Sequence, residues 1–327
     1  MKSLLLLLVL TGFTCGSAIS CKDESPTIQE PEETDGFNWE NHRPFQASYM
    51  ADLLPFNASY QTEPINIGPL QLDESSGVCS SVKNPGMLWT HEDSGNVNFI
   101  FLVDAATAEI VCRYRVVGAT NQDWEDIEIA KDATSGIPYL YIADTGDNDE
   151  RRQPVTVYKF EEPSYTPANR GMTVDIDAST VQRINVRYPD GSHDVEGMFV
   201  DPETSDVYFV TKRDAASKVY VMPYPYSVSE TNHSYWVGDL GFREASAATM
   251  NLQGNKVIIR NRQNIFYWER QANEAIWQML SRTPERLPYV GEVQGEAVCF
   301  NADDNYYTTS ERASLSGYPP IYKYIKR

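Results

Sequence analysis

Histidine is scarce in this chain, with four among 327 residues: His42, His91, His193 and His233. No H-E-x-x-H places two of them on one helix face, so a zinc hydrolase of that kind lacks its ligands. Cysteine is nearly as rare, and no C-x-x-C occurs among the five. If Cys15 and Cys21 belong to an export signal, Cys79, Cys112 and Cys299 remain. That odd, scattered set makes no disulfide framework and is expected to be buried as small apolar residues. A G-x-S-x-G elbow is missing, and Ser192, His193 and Asp194 are sequence neighbours, which is not how a catalytic triad is assembled. No glycine-rich phosphate loop precedes a helix. Positive charge is short as well: 27 Lys and Arg stand against 46 Asp and Glu, a formal charge of −19. A surface so acidic repels phosphate backbones, which argues against nucleic acid as a partner. Beyond the N-terminus no run approaches the ~20 apolar residues of a membrane-spanning helix.

The N-terminus itself reads as an export signal. Lys2 supplies a positive start, "LLLLLVL" an apolar stretch too short to span a bilayer, and "AISC" small residues ahead of Cys21. This resembles a bacterial lipoprotein signal, with Cys21 as the lipidated residue. The "CKDE" that starts there is similar to the charged tag of surface lipoproteins in Bacteroidetes-type bacteria. A simple secretory peptide cut after Ser20 is the alternative. The expected layout is a signal peptide over 1–20, a tether over 21–60 rich in Glu, Pro, Thr and Ser in its early part, and a folded domain over 61–327. The protein is expected to be exported, as an outer-membrane or cell-surface lipoprotein or freely secreted. Any membrane contact would run through the lipid at Cys21 alone.

What is present in quantity is tyrosine, 20 residues, and Pro plus Gly, 19 each, which favour strands and turns. The strands repeat. "SGVCSS", "EDIEIAKD", "EGMFVDP", "SAATMN" and "EAVCFNAD" begin at 76, 125, 196, 246 and 296, in steps of 49, 71, 50 and 50. Each opens on Glu or Ser, runs through apolar residues and ends in polar or turn residues. A second strand follows each copy ("MLWTHED", "YLYIADT", "VYFVTKR", "KVIIRNR", "NYYTTSE"), then a third, then a weaker fourth. Four antiparallel strands per unit of ~50 residues predict an all-β fold, a β-propeller. The last unit has three strands of its own, and "PINIGPLQL" at 64–72 is a strand without a unit. Pairing the two closes the ring and covers both open edges. Five blades are expected. The long step holds one blade plus about 20 residues around "PSYTPANRGMTVDID", and six blades is the alternative if that insertion folds as a degenerate blade. "NEAIWQML" at 273–280 reads as a short helical turn.

In a propeller the first strands line a central channel and start at one mouth, where the second strands end. That geometry gathers Glu125, Asp126, Glu196 and Glu296 at the entrance, with Ser76 and Ser246 at the remaining equivalent positions. The second-strand tails add His91, Glu92, Asp93, Asp144, Asp147, Asn148, Lys212, Arg213, Arg260 and Glu311, and His193 and Asp194 precede their strand. Carboxylates facing one channel raise one another's pKa unless a cation joins them. A hard divalent ion, Ca²⁺ foremost, is the economical partner, with Glu125, Glu196, Glu296 and Asp144 as candidate ligands. "DTGDND", which contains Asp144, does not have EF-hand spacing, and turn formation is its plainer role. Leading carboxylates in propellers also serve as hydrogen-bond acceptors for neighbouring blades, and Lys212 and Arg260 as their salt-bridge partners.

"WEDIEIA", "YLYIADTGDND", "RRQPVTVYKFEEP", "YPDGSHDVEGMFVDPETSDVYFVTK" and "QGEAVCF" together resemble an uncharacterised family of secreted bacterial β-propellers. More distantly, they are similar to phytase-like and gluconolactonase-like propellers. The resemblance covers roughly 68–327. It implies a channel-mouth calcium ion and hydrolysis of phosphomonoesters or lactones, with Glu125, Glu196 and Glu296 at the positions such enzymes use. Two readings follow. One is a metal-dependent hydrolase of a phosphoester, ester or lactone, in which Glu125, Glu196 and Glu296 act as ligands or general base beside His193, and Lys212 and Arg260 hold an anionic group. The other is a non-catalytic surface module that binds a glycan or protein through the same face. The preferred expectation is a monomeric propeller that binds a small-molecule or glycan ligand, with hydrolysis left open.

Overall fold

The computed structural model describes residues 37–312 and 317–327, so the expected signal peptide over 1–20 and Cys21 lie outside the described residues. The chain forms a β-propeller of five blades. Blade 1 comprises Ser75–Ser80, Met87–Glu92, Phe99–Asp104 and Ile110–Val116, and blade 2 comprises Trp124–Lys131, Pro138–Asp144, Val155–Glu161 and Gln182–Arg187. Blade 3 is Val195–Val200, Val207–Thr211, Lys218–Met222 and Tyr235–Asp239. Blade 4 is Ala245–Met250, Lys256–Asn261, Ile265–Glu269 and Glu285–Leu287. Blade 5 takes Gly295–Phe300, Tyr306–Ser310 and Pro320–Tyr324 from the C-terminal end and Ile65–Pro69 from the N-terminal side, paired antiparallel as expected. The five first strands touch in cyclic order and enclose the channel.

The sequence produces this ring because both faces of each blade are buried. Along Val207–Thr211, Tyr208 and Val210 turn toward blade 4, while Val207 and Phe209 turn toward blade 2. Alternate side chains therefore enter two different cores, and the strand reads as a continuous apolar run. Five apolar clusters result, one at each blade interface. The turn between first and second strands repeats as well. In each blade it holds one residue at positive φ: Gly86, Gly136, Ser205, Gly254 and Asp304. The short helix forms at Ile276–Ser281, where the sequence predicts a helical turn. Among the described residues no helix is long and apolar enough to cross a membrane.

The outer edges are covered. Thr173–Ile176, from the insertion, runs parallel to the outer strand of blade 1, and Asn232–His233 runs parallel to that of blade 2. Phe45–Gln46 does the same for blade 3, Phe56 bridges Arg286 of blade 4, and Tyr60 bridges Lys326 in the C-terminal tail after blade 5. The insertion is thus an edge strand and not a sixth blade. The expected tether boundary at 60 also moves. The compact unit starts at Trp39, and Leu54 and Tyr60 are buried. The physical reason is spacing. Trp39, Phe45, Tyr49, Leu54 and Tyr60 are too far apart to show a period, yet the first four join the cluster between blades 3 and 4 and Tyr60 joins that between blades 4 and 5. Covered edges remove the unpaired backbone groups that would otherwise recruit another strand. Cys79, Cys112 and Cys299 are buried free thiols, as expected.

Candidate functional site

A shared irregularity sets the site. Every first strand shifts register at its leading position: between Ser76 and Val78, Trp124 and Asp126, Val195 and Gly197, Ala245 and Ala247, and Gly295 and Ala297. In four blades the extra, unpaired residue is the leading one itself: Glu125, Glu196, Ser246 or Glu296. A β-bulge breaks the in–out alternation and re-aims a side chain, which is how these residues leave the sheet plane. The serines hold neighbouring blades together. Ser76 Oγ donates to the Glu125 carbonyl at 2.7 Å, and Ser246 Oγ to the Gly295 carbonyl at 2.9 Å.

The three glutamates stay together and are buried. Lys212, from the tail of the second strand in blade 3, places Nζ 2.6 Å from Glu196 Oε2 and 3.8 Å from Glu296 Oε2. Burial works against its charge, but Glu196 and Glu296 outweigh that and hold Lys212 above the ordinary lysine range. Both oxygens of Glu296 are buried without a hydrogen-bond partner. Burial pushes the Glu125 carboxyl well up, and Glu196, Asp93 and Asp123 push it further. Burial raises Glu196 too, with Lys212 offsetting part of the rise. Asp93 sits at about 6 and Glu311 at about 7, each raised chiefly by burial and then by nearby carboxylates. Asp194 joins this group. One oxygen from each of Glu125, Asp194 and Glu196 lies within 4.8 Å of the others, as do oxygens of Asp93, Asp123 and Glu125.

Other expected site residues go elsewhere. Arg260 is wholly buried, bonded through Nη1 to Glu292 at 2.9 Å and to the Ala297 carbonyl at 2.9 Å, and through Nη2 to Tyr289 at 2.7 Å. It ties blade 4 to blade 5 and has no exposed surface. His193 is bonded to none of the glutamates and lies between Asp214 (3.1 Å) and Asp190 (3.0 Å), with Tyr220 beside it and Lys218 on the same two aspartates. Burial lowers its pKa, but Asp214 and Asp190 outweigh that and hold it above the ordinary imidazole range. Asp144 is engaged by Arg152 Nη2 at 2.7 Å and by the Asp123 amide at 3.0 Å, and it belongs to neither carboxylate triad. The "DTGDND" segment is a turn pinned by Arg152, which donates to the Gly146 carbonyl and, through its own amide, to Asp147. Asp126 is not at the mouth either. It lies inside the ring, where Oδ2 accepts the amides of Met198 (2.9 Å) and Ala248 (3.1 Å). Glu128 does likewise with Met250 at 3.0 Å.

No family model matches the chain, and no curated protein matches it in sequence. Solved structures resemble it only in outline. A chain from a nidogen/laminin complex is 12% identical with a TM-score of 0.43, covering 72% of this chain and 72% of that one. An auxiliary nutrient binding protein from Bacteroides thetaiotaomicron VPI-5482 is 12% identical with a TM-score of 0.42, covering 85% of this chain and 62% of that one. The resemblance to phytase-like and gluconolactonase-like propellers rests on the quoted segments alone. The chemistry has to be argued from the side chains present.

Those side chains include a cationic rim. A cavity of about 350 Å³ is lined by Lys212, Arg213, Arg243, Glu244 and Arg262. Lys212 and Arg213 follow the second strand of blade 3, Arg243 and Glu244 enter blade 4, and Arg262 follows its second strand. The Glu244 amide donates to the Lys212 carbonyl at 3.1 Å and ties the two blades at this point. Arg262 Nη2 lies 3.8 Å from Glu296 Oε1, and Arg213 Nε 2.6 Å from Asp194 Oδ2. Sequence reasoning missed Arg243, Arg262 and Asp123. A signal was present for Asp123. The residue two before each leading position is Glu74, Asp123, Asp194, Glu244 or Gln294, so acidic or amide in every blade.

Proposed function

We propose that this protein is an exported binding propeller whose channel mouth takes a small, multiply anionic molecule. The carrying observation is the cavity lined by four cations and one carboxylate in a chain of formal charge −19. Each of the four also has a carboxylate within ion-pairing distance, but Arg213, Arg243 and Arg262 keep 45%, 66% and 52% of their side chains exposed, so their outer donors present positive charge to an anion. At about 350 Å³ the cavity is at the small end of ligand sites, which fits a metabolite-sized anion better than a polymer. Guanidinium groups suit carboxylate or phosphate through paired hydrogen bonds, and three of them project from two blades. Lys212 is the fixed element, because Glu196 and Glu296 hold it from below.

A hydrolytic role is the second reading, and the position of Glu311 favours it. Held at about 7 next to Glu296 and Asp93, its carboxyl has the proton affinity of a general acid or base at neutral pH. The binding proposal is tested by melting the protein at fixed ionic strength with citrate, pyrophosphate, sulfate, chloride or glucose. The multianions are expected to raise the melting temperature and glucose to leave it unchanged. Equal response to every solute would remove the proposal. Hydrolysis is tested on the same sample with chromogenic phosphate and ester substrates, comparing wild type with Glu311→Gln.

A further inference from the structure

We infer that Asp93, Asp123 and Glu125, where blade 1 meets blade 2, form the seat of one hard divalent cation. This seat shares Glu125 with the three leading glutamates but uses neither Glu196 nor Glu296.

Two groups of carboxylates have the spacing for a cation, and they share Glu125. Charge compensation separates them. In the group of Glu125, Asp194 and Glu196, the protein supplies its own cations: Lys212 Nζ stands 2.6 Å from Glu196 and Arg213 Nε 2.6 Å from Asp194. In the group of Asp93, Asp123 and Glu125, no described lysine, arginine or histidine lies within ion-pairing distance of any member. Three carboxylates within 4.8 Å of one another, largely out of water and offset only by the more distant Arg152 and Lys212, repel strongly.

Glu125 supplies an independent observation. The residue is 3% exposed, and no described donor hydrogen-bonds its carboxylate. A buried carboxylate left without hydrogen bonds is costly, and native structures rarely keep one without a partner. The backbone around it is shaped to leave room. A methyl group at Gly146 would overlap Glu125 Oε1 and stand 2.6 Å from Asp123 Oδ2. Gly146 does not have a positive φ. Its lack of a side chain leaves the two carboxylates where they stand and is not needed by the turn.

The donor set decides the class of ion. Three carboxylate oxygens with neither imidazole nor thiolate select Ca²⁺, Mg²⁺ or Mn²⁺ over Zn²⁺ or Cu²⁺. The remaining coordination positions fall to water or to the bound anion. The seat stands whether or not the arginine rim binds an anion, because the two use different residues.

The test uses the folded chain after chelator treatment, titrated calorimetrically with Ca²⁺, Mg²⁺ and Mn²⁺. Terbium luminescence excited through tryptophan gives a second readout, since Trp124 lies between two of the proposed ligands. One ion per chain is expected. Asp123→Asn and Gly146→Ala should each weaken it about tenfold or more, because affinity follows ligand charge and site geometry. Glu296→Gln should bind within about twofold of wild type, since it leaves all three ligands intact. If Asp123→Asn fails to fold, Asp93→Asn, altered at a partly exposed position, carries the same expectation. The inference is overturned if wild type binds none of the three ions. It is also overturned if Glu296→Gln weakens binding as much as Asp123→Asn, which would move the ion onto the leading glutamates. Loss of anion binding in arginine variants with cation binding intact would sink only the rim reading.

Discussion

Replacing Lys212 with methionine probes the mouth without changing its volume much. Its ammonium is 2.6 Å from Glu196 and 3.8 Å from Glu296. At an effective dielectric of ~20 these separations correspond to gross attractions of roughly 6 and 4 kcal/mol. Desolvation of the three charges offsets most of that. Removing one partner of a buried pair costs ~3–5 kcal/mol, because the other charge is left behind. The Lys212 side chain remains 17% exposed, so the low end, about 3 kcal/mol near pH 8, is expected. The cost should shrink with acidity. Lys212 offsets part of the rise that burial imposes on Glu196, so its loss raises that carboxyl further, and a protonated carboxyl needs no counter-ion. Melting curves of wild type and Lys212→Met at pH 5 and pH 8 provide the assay. A difference of under about 0.5 kcal/mol at pH 8, or a difference that does not depend on pH, would refute the reasoning; the first is the size of an unremarkable surface change.

Three further outcomes follow from the same structure. Tyr60→Ala should cost about 3–5 kcal/mol, the range for truncating a buried aromatic, since its ring is 1% exposed and meets Tyr306 at 5.1 Å; urea unfolding checks this, and a change like that of a surface mutation would show that the 39–60 strap is dispensable. Burial raises Glu128 to about 8 in the fold, against its ordinary 4.5. The native state therefore holds this proton where the unfolded chain has released it, so its stabilising contribution is complete below about pH 4.5 and lost as pH rises through about 8. Glu128→Gln should flatten that decline, and an unchanged slope of melting temperature against pH would contradict it. Deleting 61–69 should destabilise the whole ring, because it opens blade 5 and exposes two edges at once; retention of the wild-type melting temperature would contradict closure by this strand.

The blades were legible because they repeat. A pattern copied five times with Glu or Ser at the same point survives the ambiguity of any single strand, and the unpaired strand at 64–72 identified the closure. The three glutamates were legible for the same reason, each standing at the bulge of its own blade. What the repeat could not convey was direction within the bulge. Glu125 and Asp126 are adjacent, yet one faces the mouth and the other accepts amides from blades 3 and 4 inside the ring. Arg260 lies inside its strand, opposite Ala247 as Val210 is opposite Gly197, whereas Lys212 follows its strand as Arg262 does. That offset of two residues, invisible without the register, puts the first in the interface with Glu292 and the second against the glutamates. Arg243 and Arg262 sit in turns whose path depends on how blades 3 and 4 pack, which no local pattern encodes. The strap over 39–60 was hidden because its anchors are single aromatic residues spread among polar ones, each meeting a partner about 200 residues or more away.

The most direct test of the binding account is a calorimetric titration of citrate and of pyrophosphate into wild type and into the double variant Arg243→Ser, Arg262→Ser. Both arginines are more than half exposed, so the variant should keep the wild-type melting temperature within the error of the measurement. The account predicts saturable binding of at least one multianion by wild type, weakening with salt, and a loss of about tenfold or more in the variant, since each hydrogen bond to a charged group contributes ~1.5–3 kcal/mol. Wild type that binds neither probe, or a double variant that binds as tightly as wild type, would contradict it.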